Sequence, residues 1–265
     1  MDSTNIEMAT ATPLGHAESG RDAGDFDEAA YLRYLNSDEG KRRYAKTLDQ
    51  TRSKASATAE AAIFKDFIRR CGGSEDRARK LFDTMQIREP TNHDRCKIGS
   101  PKQRKRTCDD GVASIDYFDM DGHKTDVSRL RMADDAKPKY LSYDGVPPHA
   151  YLTPGINWRE IAADPVRDLI TTEVEISAAV ACLFGYNCIG IPGIWAWKSK
   201  RAGFDLLPEL EQFIWTGRKV TIIYDSDICS KPQVKGALHA LARELAKRAA
   251  VVRTKTLPSE PEQAA

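Results

Sequence analysis

Acidic residues follow two apolar runs in the C-terminal half of the chain. Glu173 comes directly after the run DLITT, with Glu175 two residues further on. Asp225 and Asp227 follow the run KVTIIY. In an open α/β sheet, ligands collect beyond the carboxyl ends of the strands, where loops and helix N-termini converge. Carboxylates at that edge suit a hard cation that prefers oxygen ligands, so the pattern predicts a site for Mg²⁺, or for Mn²⁺ in its place.

The elements that must position these acids alternate between strands and helices. Four short apolar runs are predicted to be strands: 168–172, 186–191, 219–224 and 250–256. Apolar residues at helical spacing predict three helices: 174–184, 207–216 and 232–248. The run KVTIIY is rich in β-branched residues and suits a buried central strand. The expected fold class is therefore α/β, with a parallel sheet of about four strands flanked by helices.

The sequence before this α/β part predicts a different organisation. Alternating apolar and polar residues on both sides of Asp121-Gly122 predict a β-hairpin. Helical spacing over 59–67, and again after an N-cap at Ser74, predicts short helices. The predicted segments are a disordered leader, a helical N-terminal region, a basic linker, a β-rich connector, the α/β domain and a tail: 1–24, 25–90, 91–110, 111–165, 166–258 and 259–265.

A basic run without acids lies in the predicted linker. Its cationic residues are Arg95, Lys97, Lys102, Arg104, Lys105 and Arg106. The whole chain has a formal net charge of only +1, so any attraction for nucleic acid must come from a local patch. Such a run either lies free in solvent or follows a phosphate backbone, and it is the candidate contact to DNA or RNA.

Two tryptophans, Trp195 and Trp197, lie in the loop predicted after Pro192-Gly193. Exposed aromatic rings can stack on nucleobases, but tryptophans in such loops more often pack onto the sheet. Packing is the interpretation that the sequence favours.

Composition limits the classes of protein to consider. Charged residues make up 30% of the chain and apolar residues 41%, and no apolar run approaches the about 20 residues of a membrane-spanning helix. The first residues lack the basic and apolar regions of a secretory signal. The six cysteines show no tight framework, which fits reduced thiols. We therefore expect a cytoplasmic protein with no membrane partner.

Several of these residues together resemble the Toprim (topoisomerase-primase) family. Glu173 after an apolar strand and the strand-ending Asp225-Ser226-Asp227 look like the Glu and Asp-x-Asp motifs of Toprim domains. The chain is more closely similar to a Toprim-like subgroup found in replication or primase-helicase proteins of plasmids, phages and integrated elements. The motifs that carry this closer resemblance are YFDMDG at 117–122, Arg129-x-Arg131, Lys139-Tyr140 and GIPGIW at 190–195.

The resemblance implies a role for each acid. Glu173 would be a general acid or base in phosphoryl transfer, and Asp225 and Asp227 would hold Mg²⁺. Glu175 is expected to be supportive or solvated. The expected function is Mg²⁺-dependent nucleic-acid processing in a mobile element, primase-like or nuclease-like, alongside a separate helicase or replication protein.

The chain also departs from the family pattern. It has Val174 and Ile176 where the family typically has Gly and Lys. These departures leave a second function open, namely a non-catalytic nucleic-acid or protein-interaction module in a replication or defence complex.

Overall fold

The computed structural model describes residues 60–99, 103, 107, 112–132, 138–224 and 232–256. All of these residues belong to one unit, which extends from Asp49 to Ala265. The predicted leader, the predicted helical region as far as residue 59 and the predicted tail lie outside the described residues.

Two helices form the N-terminal part of the described chain, as their apolar spacing predicted. Helix α1 (60–70) ends at Cys71-Gly72-Gly73, where the glycines have φ angles of 67° and 84° that few other residues adopt. Helix α2 (Glu75–Met85) begins at Ser74, whose side chain accepts a hydrogen bond from the backbone N–H of Arg77. The predicted N-cap is confirmed.

A third helix, α3 (Asn92–Lys97), lies in the segment predicted to be an irregular linker, so that prediction is wrong for these residues. The side chain of Thr91 accepts a hydrogen bond from the backbone N–H of Asp94. In return, the Asp94 carboxylate accepts one from the backbone N–H of Thr91. This reciprocal pair is a capping box, and its Thr-x-x-Asp spacing was the signal for a helix in the sequence.

The β-rich connector forms the predicted hairpin and one further short strand. Strands β1 (Val112–Phe118), β2 (Lys124–Met132) and β3 (Tyr140–Leu141) make an antiparallel sheet in the order β1-β2-β3. Gly122 in the hairpin turn has a φ of 79°, which explains the glycine of the Asp-Gly pair.

A buried ionic network lies on one face of this sheet. Arg88 donates to Asp94 and to Asp116, with an N–O distance of 2.7 Å in each pair. Tyr143 also donates to Asp94, and Lys124 pairs with Asp116. Burial alone would raise the pKa of Asp94, but hydrogen bonds from Arg88, Tyr143 and its own helix cap hold that pKa well below its ordinary value.

The second half of the chain forms a parallel sheet of four described strands: β4 (Leu169–Glu173), β5 (Cys188–Ile191), β6 (Lys219–Tyr224) and β7 (Val251–Thr256). Neighbouring strands are parallel throughout, and their order across the sheet is β5-β4-β6-β7. β6 is therefore a central strand, as its β-branched composition predicted. The expected fold class is confirmed.

Four described helices belong to this half: α4 (Trp158–Ala163), α5 (Glu175–Leu183), α6 (Pro208–Glu211) and α7 (Pro232–Lys247). α6 is shorter than predicted. Phe213 and Trp215 are both buried, with ring centroids 5.6 Å apart, and residues two apart cannot share one face of a helix. None of the helices in the described part of the chain has both the length and the apolar character that a bilayer crossing requires.

Contacts join the segments on the two sides of the boundary predicted at residue 165. Tyr151 and Gly190 exchange backbone hydrogen bonds of 2.8 and 3.0 Å. A Cβ atom at Gly190 would lie only 3.1 Å from the Tyr151 Cβ and 3.2 Å from the Ala178 Cβ, which accounts for the glycine. Side chains from α1, α2, β1 and α5 share one core, which includes Phe67, Leu81, Ile115, Tyr117 and Ile176.

Candidate functional site

The carboxyl ends of β4, β5 and β6 lie side by side. Glu173, the last residue of β4, is paired in register with Ile191, the last residue of β5. On the other side, Thr172 is paired with Ile223, one residue before β6 ends at Tyr224. Burial raises the pKa of the Tyr224 hydroxyl, and the negative charge of Glu173 raises it further. The structure thus brings Glu173 to the edge of the sheet, next to the end of β6.

The two aspartates predicted to hold metal, Asp225 and Asp227, lie outside the described residues. They follow Tyr224 by one and three positions in the sequence. Their metal-binding role stays a prediction.

Val174, between Glu173 and helix α5, has an unusual backbone conformation. Its φ of 57° and ψ of 148° lie close to a region that is essentially restricted to glycine. Holding a branched residue there costs about 1–3 kcal/mol, and the surrounding structure has to offset that cost. The backbone N–H of Val174 donates to the carbonyl of Ile191 at 3.2 Å, which ties the turn to the end of β5.

Glu175, in the first turn of α5, is the centre of a buried polar network that sequence reasoning missed. It is fully buried, and its Oε1 accepts hydrogen bonds from the hydroxyl of Tyr117 at 2.5 Å and from Nη1 of Arg129 at 3.0 Å. Its Oε2 makes no hydrogen bond within the described residues. Glu175 is therefore not solvated, and it links α5 to the antiparallel sheet.

The charges in this network shift the pKa values of its members. Burial raises the pKa of Tyr117 well above its ordinary value, and the negative charge of Glu175 adds to the rise. Burial alone would lower the pKa of Arg129, but the carboxylate beside it raises that pKa instead. The guanidinium therefore stays charged, and the tyrosine stays a hydrogen-bond donor.

Tyr140 and Arg131 extend the same network. The guanidinium of Arg129 lies over the Tyr140 ring, 4.6 Å from its centroid, and Nη1 of Arg131 donates to the Tyr140 hydroxyl at 2.9 Å. Burial, with the charge of Glu175, raises the pKa of Tyr140 to about 12. Strand alternation places residues 129 and 131 on one face of β2, which is the signal that could have grouped them. Residues from three of the resembling motifs, YFDMDG, Arg129-x-Arg131 and Lys139-Tyr140, thus meet around Glu175.

The basic run is only partly available as a nucleic-acid surface. Arg95 lies in α3 and is 7% exposed, with its guanidinium 3.8 Å from the carboxylate of Glu89. Because α3 turns this side chain inward, the prediction that Arg95 contacts DNA or RNA is corrected. Lys97 is exposed at the end of α3. The remaining members lie outside the described residues: Lys102, Arg104, Lys105 and Arg106.

The two tryptophans after β5 differ in exposure. Trp197 is buried in the core of the parallel sheet, as the packing interpretation predicted. Trp195 is 44% exposed, and the ammonium group of Lys198 lies 4.9 Å from the centroid of its ring. One ring therefore packs, and the other faces solvent near the carboxyl edge.

Asp119, Asp121 and His123 form a group of possible metal ligands in the hairpin turn. The carboxylate of Asp119 accepts hydrogen bonds from the backbone N–H groups of Asp121 and His123. Both carboxylate oxygens of Asp121 accept hydrogen bonds from Arg159. Turn formation and a surface ion pair account for this cluster.

Comparisons with known proteins match the half of the chain that holds the parallel sheet to a family without functional description. Residues 157–264 match a family model described as "Domain of unknown function (DUF3854)". The chain is 33% identical to the "Gene 57 protein" of Mycobacterium phage D29 over 99 residues. That similarity covers 37% of this chain and 55% of the phage protein, so the chain spans about half the length of this relative. No solved structure matches the chain.

Proposed function

We propose that this protein processes nucleic acid in a mobile genetic element by Mg²⁺-dependent phosphoryl transfer, with primase-like or nuclease-like chemistry, on a Toprim-like parallel sheet. The observation that carries the proposal is the position of Glu173 at the carboxyl end of β4, beside the ends of β5 and β6. Ligands of open α/β sheets bind at this edge. Similarity to a phage protein supports the choice of a mobile element.

Each acid has a distinct part in this proposal. The Glu173 carboxylate offers the oxygen donors that suit a hard cation, and it would hold or accept a proton at the attacking or leaving oxygen. Asp225 and Asp227, which follow β6 in the sequence, would hold Mg²⁺. The metal would neutralise phosphate charge when bound.

The strained turn at Val174 supports a functional edge. Backbone strain of this kind persists where the surrounding structure holds it in place, and it is concentrated at active sites and ligand clamps. Val174 keeps a positive φ at the position where the resembling family has Gly. The backbone turn that Gly favours is thus present, although the residue type differs.

DNA or RNA would reach this edge with help from basic side chains. Lys97 is exposed, and Lys102, Arg104, Lys105 and Arg106 complete the run in sequence. Cations that neutralise phosphates make binding strongly dependent on salt. A helicase or another replication protein would be supplied by a separate chain.

Activity assays on the full chain test the proposal. Primer synthesis and cleavage of single- and double-stranded DNA are measured while Mg²⁺ or Mn²⁺ is titrated into wild type, Glu173→Gln and the double variant Asp225→Asn/Asp227→Asn. Loss of a general acid or base should slow the reaction about 10²–10⁴-fold in Glu173→Gln, with metal affinity largely kept. The double variant should lose metal affinity itself.

An exposed acid on α2 provides the control. Asp76→Asn removes one carboxylate from the surface and should leave activity unchanged. The proposal fails if wild type shows no metal-stimulated activity, or if Glu173→Gln and the double variant behave like Asp76→Asn.

The second candidate is a non-catalytic nucleic-acid or protein-interaction module. Ile176, where the resembling family has Lys, is 1% exposed and belongs to the core shared by β1 and α5. It therefore supplies no cation to a phosphate. This candidate predicts nucleic-acid binding that is equally strong in wild type and in the two acid variants, without any turnover.

A further inference from the structure

A small cavity lies between the antiparallel sheet and the proline segment 146–149, beside the end of β5. Its volume is about 180 Å³, and its apolar walls include Tyr117, Val127, Tyr143, Pro148 and Pro192. Sites for drug-sized ligands usually have about 300–1,000 Å³, so this cavity selects something smaller. Rigid aromatic and proline surfaces suit a flat ring.

His149 supplies a directed polar group to this cavity. Its Nδ1 lies 2.6 Å from Oε1 of Glu209, which fixes the orientation of the imidazole ring. Because Nδ1 takes this partner, Nε2 is the ring nitrogen that a ligand would contact. A carboxylate-oriented histidine at the wall of a cavity is thus available to a ligand.

A neighbouring cavity of about 200 Å³ shares Tyr117 and His149 with the first and provides an internal comparison. The carboxylates of Asp119 and Glu209 line this second cavity. The described residues around the first cavity include no acidic side chain, and Arg129 is among them, with its guanidinium paired with Glu175. A ligand that carries negative charge therefore fits the first cavity better than the second.

The first cavity also adjoins the edge at which phosphoryl transfer is proposed. Pro192 follows Ile191 directly, and Ile191 is paired in register with Glu173. Tyr117 of the cavity wall donates its hydroxyl hydrogen to Glu175, two residues after Glu173. A ring held in the cavity would have its attached groups close to the carboxyl edge.

We propose that this cavity binds the nucleobase of a nucleotide, with the ring against Tyr117, Tyr143 and Pro148 and with His149 Nε2 hydrogen-bonded to the edge of the base. The choice of a nucleobase rests on the proposed function. The base belongs either to a free nucleotide or to one end of a strand. In both cases the phosphate lies away from the carboxylates of Asp119 and Glu209 that line the second cavity.

Binding is measured on the full chain in EDTA, so that no metal and no turnover are needed. The probes are the four nucleoside 5′-monophosphates, a short single-stranded oligothymidylate, ribose 5-phosphate and inorganic phosphate. The affinity of the chain for each probe is measured by isothermal titration calorimetry. Val146→Trp, at the exposed mouth of the cavity, should weaken nucleotide binding about tenfold by occupying the place of the base. His149→Phe replaces the imidazole with an aromatic ring that has no nitrogens, and should weaken binding and reduce the preference among bases.

A matched variant places the same bulk in the second cavity. Gln212→Trp should leave nucleotide binding unchanged. Tighter binding of monophosphates than of the oligonucleotide identifies a free nucleotide as the ligand, and the reverse order identifies a strand end. The proposal is overturned if ribose 5-phosphate or inorganic phosphate binds as well as the nucleotides, or if Val146→Trp and Gln212→Trp have equal effects.

The same experiment separates this inference from the proposed reaction. Nucleotide binding that depends on Val146 and His149 in a chain without phosphoryl-transfer activity would uphold the cavity and refute the reaction. Metal-dependent activity that survives Val146→Trp, with no nucleotide binding in wild type, would uphold the reaction and refute the nucleotide site in the cavity.

Discussion

Replacement of Arg129 by methionine is the sharpest test of the network around Glu175. Methionine keeps much of the apolar stem of the arginine and removes its charge. The Glu175 carboxylate would then remain fully buried, with Tyr117 as its one described hydrogen-bond donor. The variant therefore leaves a charge in the core without its countercharge.

The size of the effect follows from the geometry. The two charged groups are 3.0 Å apart, and their attraction is about 5.5 kcal/mol at an effective dielectric constant of about 20. Desolvation offsets part of that attraction, and removing one partner of a buried pair typically costs about 3–5 kcal/mol. We expect the free energy of unfolding to fall by this amount, which is a large share of the about 5–15 kcal/mol of a typical domain.

Chemical denaturation followed by tryptophan fluorescence measures the change. The four tryptophans lie at 158, 195, 197 and 215, so the signal reports on the half of the chain that Glu175 joins to the antiparallel sheet. A double variant, Arg129→Met/Glu175→Gln, removes the unpaired negative charge and should recover part of the lost stability even if the single variant folds poorly.

An exposed ion pair gives the control. Arg159→Met breaks the surface pair with Asp121 and should leave the denaturation midpoint unchanged within error. A loss of less than about 1 kcal/mol in Arg129→Met, or a double variant no more stable than the single one, would refute the reasoning.

Backbone strain, acid sensitivity and a buried arginine give three further expected outcomes. The free energy of unfolding of Val174→Gly should exceed that of Val174→Ala by about 1–3 kcal/mol, because alanine retains the strain of the positive φ. A Val174→Ala variant more stable than Val174→Gly would contradict that conformation. The lowered pKa of Asp94 contributes stability that is present above about pH 4 and is lost as the pH falls through the folded-state pKa. Denaturation at a series of pH values should therefore show a steep loss below about pH 4 in wild type and a shallower one in Asp94→Asn. Arg218 is fully buried and donates to four backbone carbonyls. Arg218→Lys should therefore lower the free energy of unfolding by about 2–4 kcal/mol. A free energy of unfolding equal to that of wild type within error would exclude a stabilising role for these hydrogen bonds.

Local sequence patterns were enough to predict most of the elements. The run KVTIIY was expected to be a central strand and became β6, and Ser74 was expected to begin a helix and caps α2. Asp121-Gly122 was expected to turn a hairpin and does so, with a positive φ at the glycine. Strand alternation, helix capping and turn preferences depend on neighbours in the sequence, so these features can be read without a fold. The same reasoning could place Glu173 at the end of a strand.

Other features depended on contacts that no local pattern records. The basic run looked uniformly exposed, but α3 buries Arg95 while Lys97 stays in solvent. The sequence GIPGIW does not explain its first glycine, Gly190. The structure explains it, because Tyr151 lies too close to leave room for a larger side chain. In both cases the surroundings of the residue come from a distant segment.

Glu175 shows the difference most clearly. In the sequence it is one more acid near the start of a helix, and a supportive or solvated role was the reasonable expectation. In the fold it is fully buried, and its partners Tyr117 and Arg129 lie 58 and 46 residues away. Local patterns in the sequence are enough to predict the strands, most of the helices and the acid at the end of β4. They do not predict which charges meet in the core, because burial and pairing follow from the packing of the hairpin on α5 and not from local periodicity.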